Sequence, residues 1–146
     1  MQKYIDIQKA NYEIAFKEIV NGKKQSHWMW YIFPQIHSLG KSSISQYYAL
    51  KNINECISYL NNDYLYKNIY NICLELLKHE INDPVLIFGE TDSKKLQSSM
   101  TLFDYTIEKN RNLLKGNIIN IFSKVLDKYY SGEKDLLTLE ILKKTK

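Results

Sequence analysis

Residues 23–35, hereafter the aromatic segment, hold the side chains of this chain that are best suited to recognising a ligand. The segment reads KKQSHWMWYIFPQ and contains both tryptophans, a histidine and a proline. Aromatic faces can stack on a base or a nicotinamide ring, and lysines can hold a phosphate group. Since a pocket wall uses both kinds of residue, the segment is predicted to line a ligand site. Its candidate ligand-binding residues are Lys24, Ser26, Trp28, Trp30 and Gln35.

The aromatic segment also has a purely structural interpretation. Two indoles and Phe33 would bury a large apolar area and could simply attach the segment to a helical core. That interpretation leaves the interspersed polar residues unexplained. The chain also has no Asp or Glu between Glu18 and Glu55, while four lysines fall inside this interval. An anion could bind there without carboxylate repulsion, and a chance gap in a lysine-rich chain is the alternative explanation.

A second concentration of polar residues occupies positions 92–103, on a predicted helix. Asp92, Lys95 and Ser99 recur at spacings of three and four, which places them on one helix face. They could therefore face the same cleft as the aromatic segment. The alternatives are a surface ion pair between Asp92 and Lys95 and serines that bond back to helix carbonyls. The candidate ligand-binding residues of this helix are Lys95, Ser98, Ser99 and Thr101.

His27 and Asp92 are the candidate catalytic residues. A histidine changes its charge near neutral pH, so His27 could act as a general acid or base if its ring met the polar face of this helix. Asp92 would supply the carboxylate, and Ser99 would position the ligand, because no nucleophile elbow surrounds it. No cofactor motif is present in the sequence. Any catalysis is therefore expected to be hydrolytic and independent of a cofactor, for instance cleavage of an N-glycosidic bond.

Metal and nucleotide-loop chemistries are not predicted. His27 and His37 stand ten residues apart, and neither a His-x-x-x-His nor a Cys-x-x-Cys pattern occurs, so no metal site is expected. The five glycines are scattered along the chain, which excludes the clustered glycines of P-loop and Rossmann phosphate sites. Cys56 and Cys73 fall on apolar helix stripes and are expected to be buried free thiols.

Composition limits the class of protein and of partner. With 146 residues, 45% of them apolar and 25% charged, the chain is expected to form one soluble domain over residues 1–146. No apolar run approaches the ~20 residues that cross a bilayer, and the first residues lack a signal-peptide core, so a cytoplasmic protein without a membrane partner is expected. A formal net charge of +4 is too small to predict binding to duplex nucleic acid. A small anionic metabolite is the expected partner, and the oligomeric state is left open.

Helical periodicity runs through most of the chain. It predicts helices over residues 4–20 and 65–79, a short helical turn in the aromatic segment, and a restart near Ser45. Further helices are predicted over 53–60 behind an Asn52–Glu55 capping box, over 84–88 with Gly89 closing the turn, and over 91–107, 117–130 and 135–144. No stretch alternates apolar and polar residues long enough for a sheet. The expected fold is therefore all-α, a compact single domain of six or seven helices.

Three functions are compatible with these residues. The first is a pocket for an anionic, aromatic-bearing ligand such as a nucleotide, NAD or an ADP-ribose derivative, with hydrolysis of that ligand as an added activity. The second is a nucleotide-binding or sequestering protein that uses the same residues without catalysis. The third is a protein-interaction module in which Trp28 and Trp30 form an exposed anchor. Solvent exposure of the two indoles separates the third function from the others.

The densest motifs of the chain resemble a known family. They are KxSHWMWxIFPQ at residues 24–35, IFG at 87–89, SSMTLF at 98–103 and VLDKYYxGxxD at 125–135. With these motifs the chain resembles the eighteen-ten family of bacterial and fungal domains of unknown function, sometimes labelled calpastatin-like. The resemblance spans nearly the whole chain and implies a compact, wholly helical domain. It implies no established activity.

Overall fold

The computed structural model describes residues 1–144, and residues 145 and 146 of the predicted domain lie outside the described residues. Within that part the chain forms eight α-helices and one 3₁₀ turn over Arg111–Leu113. The helices are α1 Gln2–Val20, α2 Met29–Ile32, α3 Ser43–Tyr48, α4 Ile53–Asn61, α5 Asp63–Lys78, α6 Pro84–Asn110, α7 Ile121–Tyr130 and α8 Leu136–Lys144. The all-α prediction is confirmed. The predicted count of six or seven helices is too low, because α2 and α3 are separate short helices in a stretch where the sequence shows no clear period.

Helix α6 lies at the centre of the fold. It packs against α4, α7 and α8, while α1 packs against α5, and α5 packs against α7. The short helix α2 contacts both α1 and α6. Phe103 of α6 packs its ring between those of Tyr59 and Phe122, with centroid distances of 5.3 and 5.2 Å, so one aromatic core joins α4, α6 and α7. Within residues 1–144, none of the helices is both long and apolar enough to cross a membrane.

Side-chain caps decide where several helices begin. Asn52 accepts a hydrogen bond from the amide of Glu55 at 2.9 Å, which is one half of the predicted capping box. The Glu55 carboxylate accepts from the amide of Lys51 at 2.9 Å rather than from that of Asn52. Helix α7 begins at Ile121 rather than at the predicted Asn117. The reason is that Asn120 caps the helix, its side chain accepting from the amide of Ser123 at 3.2 Å.

Gly89 divides α6 into two segments. Its φ of 81° and ψ of 169° lie in a region that residues with a side chain rarely adopt, and this agrees with the predicted break after residue 88. Before the break, the carbonyl of Ile87 accepts a hydrogen bond from the amide of Lys24 at 2.7 Å. The longer segment after the break carries the polar residues 92–103. The break therefore brings the start of this segment next to the aromatic segment.

Candidate functional site

Glu18 on α1 holds the aromatic segment in place. Its carboxylate accepts hydrogen bonds from the amides of Gln25 and Ser26 at 2.7 and 2.9 Å, from the Ser26 hydroxyl at 2.5 Å and from the Trp28 indole N–H at 2.9 Å. Burial opposes ionisation of this carboxyl, but the four hydrogen bonds outweigh burial and lower the pKa of Glu18 from 4.5 to about 2. Ser26 is therefore engaged within the fold, and Trp28 is only 1% exposed.

Lys24 and Trp28 form the inner of two lysine–tryptophan pairs beside Asp92. The Lys24 ammonium lies 5.1 Å from the Trp28 ring centroid and 2.8 Å from Oδ2 of Asp92, and the Lys24 side chain is 8% exposed. Together with the backbone hydrogen bond from Lys24 to Ile87, the ion pair ties the aromatic segment to α6. Lys24 consequently has little surface to offer to a ligand.

Lys95 and Trp30 form the outer pair. The Lys95 ammonium lies 5.5 Å from the Trp30 ring centroid and 3.6 Å from Oδ1 of Asp92, and its side chain is 26% exposed. The ring of His27, an exposed residue, stacks on Trp30 with centroids 6.3 Å apart and an interplanar angle of 26°. Because Asp92 has a shorter contact with Lys24, Lys95 can turn towards an anion without leaving that carboxylate unpaired.

A cleft of about 440 Å³ lies beside the outer pair, between the loop after α2 and the beginnings of α8 and the longer segment of α6. Its lining residues are Gln35, Leu39, Gly40, Glu90, Thr91, Lys94, Lys95, Ser98, Asp135 and Leu137. Three of them, Gln35, Lys95 and Ser98, are predicted ligand-binding residues. The cleft combines two cations, two carboxylates and an amide, so it offers partners for both anionic groups and hydroxyl groups.

The loop that forms one wall of the cleft is fixed by backbone pairing. The amide of Leu50 donates to the carbonyl of Gln35, and the amide of His37 donates to the carbonyl of Leu50, each at 2.9 Å. These two hydrogen bonds make a parallel bridge between Ile36 and Leu50. The backbone at Gln35 is therefore held in position without help from a ligand.

Asp135 is firmly held on another wall of the cleft. Its Oδ2 accepts hydrogen bonds from the Ser98 hydroxyl at 3.2 Å, from the Thr138 amide at 3.1 Å and from the Thr138 hydroxyl at 2.5 Å. Its own amide donates to Oγ1 of Thr101 at 2.9 Å. Thr101 is completely buried, so this predicted ligand-binding residue positions Asp135 and does not itself reach the cleft.

The predicted catalytic residues His27 and Asp92 each contact the outer pair but are not paired with each other. Asp92 directs both carboxylate oxygens at lysine ammonium groups, and within residues 1–144 no hydrogen bond or ion pair joins it to His27. Ser99 is completely buried, and its hydroxyl has no hydrogen-bond partner in that same part of the chain. Ser99 therefore cannot touch a ligand in this conformation. Ser98 bonds back to the carbonyl of Lys94 at 3.1 Å, as the structural interpretation of the serines expects.

Four polar residues of the cleft are absent from the predicted site. They are Glu90, Thr91, Lys94 and Asp135. Lys94 precedes Ser98 by four positions, so helix geometry could have indicated it. Asp135 lies 37 positions from Ser98, and no local sequence pattern brings the two together.

A second groove, of about 510 Å³, lies between α1 and α5. Its lining residues are Tyr12, Glu13, Phe16, Lys17, Asn71, Leu74, Glu75 and Lys78. It is the larger of the two, but it contains none of the predicted site residues. We therefore place the candidate site in the smaller cleft, where three predicted residues meet and the outer lysine–tryptophan pair adjoins.

The fold and the cleft together define a class of protein, a wholly helical chain with a mixed-charge cleft near a break in its central helix. The chain belongs to the family described as "Protein of unknown function (DUF1810)", whose model matches residues 1–142. This match confirms the resemblance noted in the sequence.

One solved structure is similar over almost the whole chain. It is the crystal structure of the conserved hypothetical protein Rv1873 from Mycobacterium tuberculosis, with 30% sequence identity and a TM-score of 0.86. The similarity covers 97% of this chain and 95% of that chain. None of the curated proteins matches the chain.

Proposed function

We propose that this protein binds a small anionic ligand that carries an aromatic ring, of nucleotide, NAD or ADP-ribose type, in the cleft beside Lys95. One observation carries the proposal. Lys95 lines the cleft, and its ammonium lies against the Trp30 ring while remaining partly exposed. A cation that lines the cleft thus lies beside an aromatic ring that is itself partly exposed.

The anionic end of the ligand is assigned to Lys94 and Lys95. Lys94 is exposed and takes part in no ion pair within residues 1–144, and the ion pair of Lys95 in that range is the 3.6 Å contact with Asp92. Both ammonium groups can therefore reorient towards a phosphate, which lysine binds as a point charge.

The aromatic end of the ligand is assigned to the outer tryptophan. Trp30 is half-buried and His27 is exposed, so the two stacked rings present one aromatic surface next to Lys95. Stacking of a base on an aromatic side chain contributes about 1–3 kcal/mol, which is sufficient to select nucleotides over plain sugar phosphates.

Binding is favoured over the two other functions considered. A hydrolytic role for Asp92 and His27 is not supported by their contacts, since each Asp92 oxygen faces an ammonium group. An exposed protein anchor made of both tryptophans is not supported by the 1% exposure of Trp28. Asp92→Asn tests the hydrolytic role, because loss of turnover with unchanged ligand affinity would favour an enzyme.

A thermal-shift screen tests the proposal directly. The panel contains nucleoside phosphates, NAD, ADP-ribose, sugar phosphates and inorganic phosphate. A ligand that binds only the folded protein raises its stability by about 2.7 kcal/mol at 100 times the dissociation constant. Stabilisation by an aromatic phosphate is the expected result, and no stabilisation by any compound would contradict the proposal.

Calorimetry on two variants then locates the bound ligand. Lys95→Met is expected to weaken binding about tenfold or more, because a charge-assisted contact is lost. Lys124→Met is the matched control, since Lys124 is an exposed lysine on α7 away from the cleft. Equal affinities for the two variants would contradict the assignment of the ligand to this cleft.

A further inference from the structure

The two carboxylate oxygens of Asp135 differ, because Oδ2 is hydrogen-bonded within the fold and Oδ1 is not, among the residues that the structure describes. All three hydrogen bonds that it accepts go to Oδ2, from Ser98 and Thr138. Within residues 1–144, Oδ1 accepts no hydrogen bond, and Asp135 takes part in no ion pair. The residue nevertheless lines the cleft and is only partly exposed. Oδ1 is therefore a hydrogen-bond acceptor that is already oriented before a ligand arrives.

The position of Asp135 relative to the lysines limits what this acceptor can bind. Ser98, which donates to Asp135, lies about one helical turn of 5.4 Å along α6 from Lys94 and Lys95, and all four residues line the same cleft. A cationic ligand group at Oδ1 would meet two lysines. A hydroxyl group can donate to Oδ1 without that repulsion.

We infer that Asp135 recognises a ribose hydroxyl of the ligand, so that the ligand class of this cleft is a ribose phosphate with an attached base. The inference rests on the proposed function and adds the sugar to it. The phosphate lies at Lys94 and Lys95, and a ribose hydroxyl donates to Oδ1 of Asp135. A fixed carboxylate is a recurrent partner of ribose hydroxyls in nucleotide-binding sites.

This arrangement gives a role to Asp135, one of the two carboxylates in the cleft. A site for an anion alone has no use for the carboxylates of Glu90 and Asp135, which would repel the anion. A ligand with a phosphate at one end and hydroxyl groups at the other uses both the cations and the carboxylate.

Calorimetric titration with matched nucleotides tests the inference. AMP, 2′-deoxy-AMP and 3′-deoxy-AMP share the base and the phosphate and differ only in sugar hydroxyls, and inorganic phosphate reports the anion contact alone. The full-length wild-type protein is expected to bind AMP about 10- to 100-fold more tightly than one of the deoxy compounds, the range expected for one hydrogen bond to a charged group. Equal affinity for all three nucleotides would overturn the inference while leaving the proposed function intact. Binding of none of the compounds would overturn both.

Two variants connect the hydroxyl preference to Asp135. Asp135→Asn keeps an amide oxygen that can accept from the Thr138 amide, so the start of α8 stays capped. In this variant the preference for AMP over the deoxy compound is expected to disappear, while the affinity for inorganic phosphate does not fall. A folded Asp135→Asn protein that keeps the full preference would overturn the inference.

Ser98→Ala is a second test of the role of Asp135, and it leaves the hydrogen bonds between Asp135 and Thr138 at the start of α8 in place. It removes one of the three donors that fix the carboxylate, so the preference is expected to shrink without vanishing. Asp127→Asn is the matched control, because Asp127 is an exposed carboxylate on α7. An unchanged preference in Ser98→Ala, or an equal change in the control, would count against the role of Asp135.

Discussion

The inner and outer lysine–tryptophan pairs use the same residue types and share the carboxylate of Asp92, yet their surroundings differ. In the inner pair, Lys24 is 8% exposed and 2.8 Å from Asp92, and Trp28 is almost completely buried. In the outer pair, Lys95 is 26% exposed and 3.6 Å from Asp92, and Trp30 is half-buried. Burial and contact distance, rather than residue type, separate the two pairs.

The difference separates a structural role from the proposed binding role. An ammonium that is buried and closely paired cannot leave its carboxylate without stranding a charge, so the inner pair belongs to the fold. A partly exposed ammonium with a longer contact gains little from that contact and can exchange it for a ligand. The inner pair should therefore govern stability, and the outer pair should govern affinity.

Truncation of the two tryptophans should give the largest contrast. Trp28→Ala is expected to lower the free energy of unfolding by about 3–5 kcal/mol, as is usual for a large buried aromatic. Trp30→Ala should cost less than about 2 kcal/mol, because its ring is only partly removed from water. Urea denaturation followed by far-UV circular dichroism measures both losses. Equal losses would show that burial does not distinguish the pairs.

Removal of the Glu18 charge should produce the next largest loss of stability. Glu18→Gln leaves the amides of Gln25 and Ser26 and the Trp28 indole N–H without their charged acceptor, at an expected cost of about 2 kcal/mol. Glu13→Gln is the matched control, since Glu13 is exposed on the same helix, and it should change stability by less than about 0.5 kcal/mol. Similar losses of unfolding free energy in both variants would contradict the role of Glu18 in holding the inner pair in place.

The Glu18 contribution should depend on pH in a defined window. The pKa of Glu18 in the folded protein, about 2, lies below its ordinary value of 4.5. The stabilisation is therefore fully present above pH 4.5 and is lost as the pH falls towards 2. The difference in unfolding free energy between wild type and Glu18→Gln should shrink through this window in urea titrations at successive pH values. A difference that is constant with pH would contradict the low pKa.

Substitution of the two lysines should give the smallest effects on stability. It should also separate stability from affinity most clearly, because Lys24 is expected to affect mainly stability and Lys95 mainly ligand binding. Lys24→Met removes the close partner of Asp92 and should cost about 1–2 kcal/mol of unfolding free energy. Lys95→Met should cost less than about 0.5 kcal/mol, the usual range for an exposed pair, while it weakens ligand binding. Urea denaturation measures the unfolding free energy of the two variants, and calorimetry measures their ligand affinity. A loss of stability in Lys95→Met as large as in Lys24→Met would contradict this separation.

Much of the helical framework could be predicted from local patterns. The Asn52 cap and the break at Gly89 depend on residues next to each other in the chain, so the sequence contains the physical cause of each. The predicted start of α7 at Asn117 is wrong, although Asn117 and Asn120 are both of a residue type that caps helices. Only the packed structure selects Asn120.

The candidate site could be predicted only in part. The aromatic segment and the polar face of α6 do meet, and Lys24, Trp30, Asp92 and Lys95 lie in one region. The structural interpretation applies to Trp28, which attaches the segment to the core. Trp30 remains partly exposed, so the ligand-binding interpretation stays a prediction for that residue. Burial of Ser99 and the contribution of Asp135 could not be predicted, because they depend on how α6 packs against its neighbours and on a contact 37 positions apart.

The sequence by itself determined the helical class, most of the helix boundaries and the two segments that carry the site, because periodicity and capping act over a few residues. The tertiary structure decided which lysine is buried, which tryptophan stays partly exposed and which carboxylate completes the cleft. Solvent exposure and long-range contacts arise only when helices pack, and they determine whether an identical side chain stabilises the fold or remains free to bind.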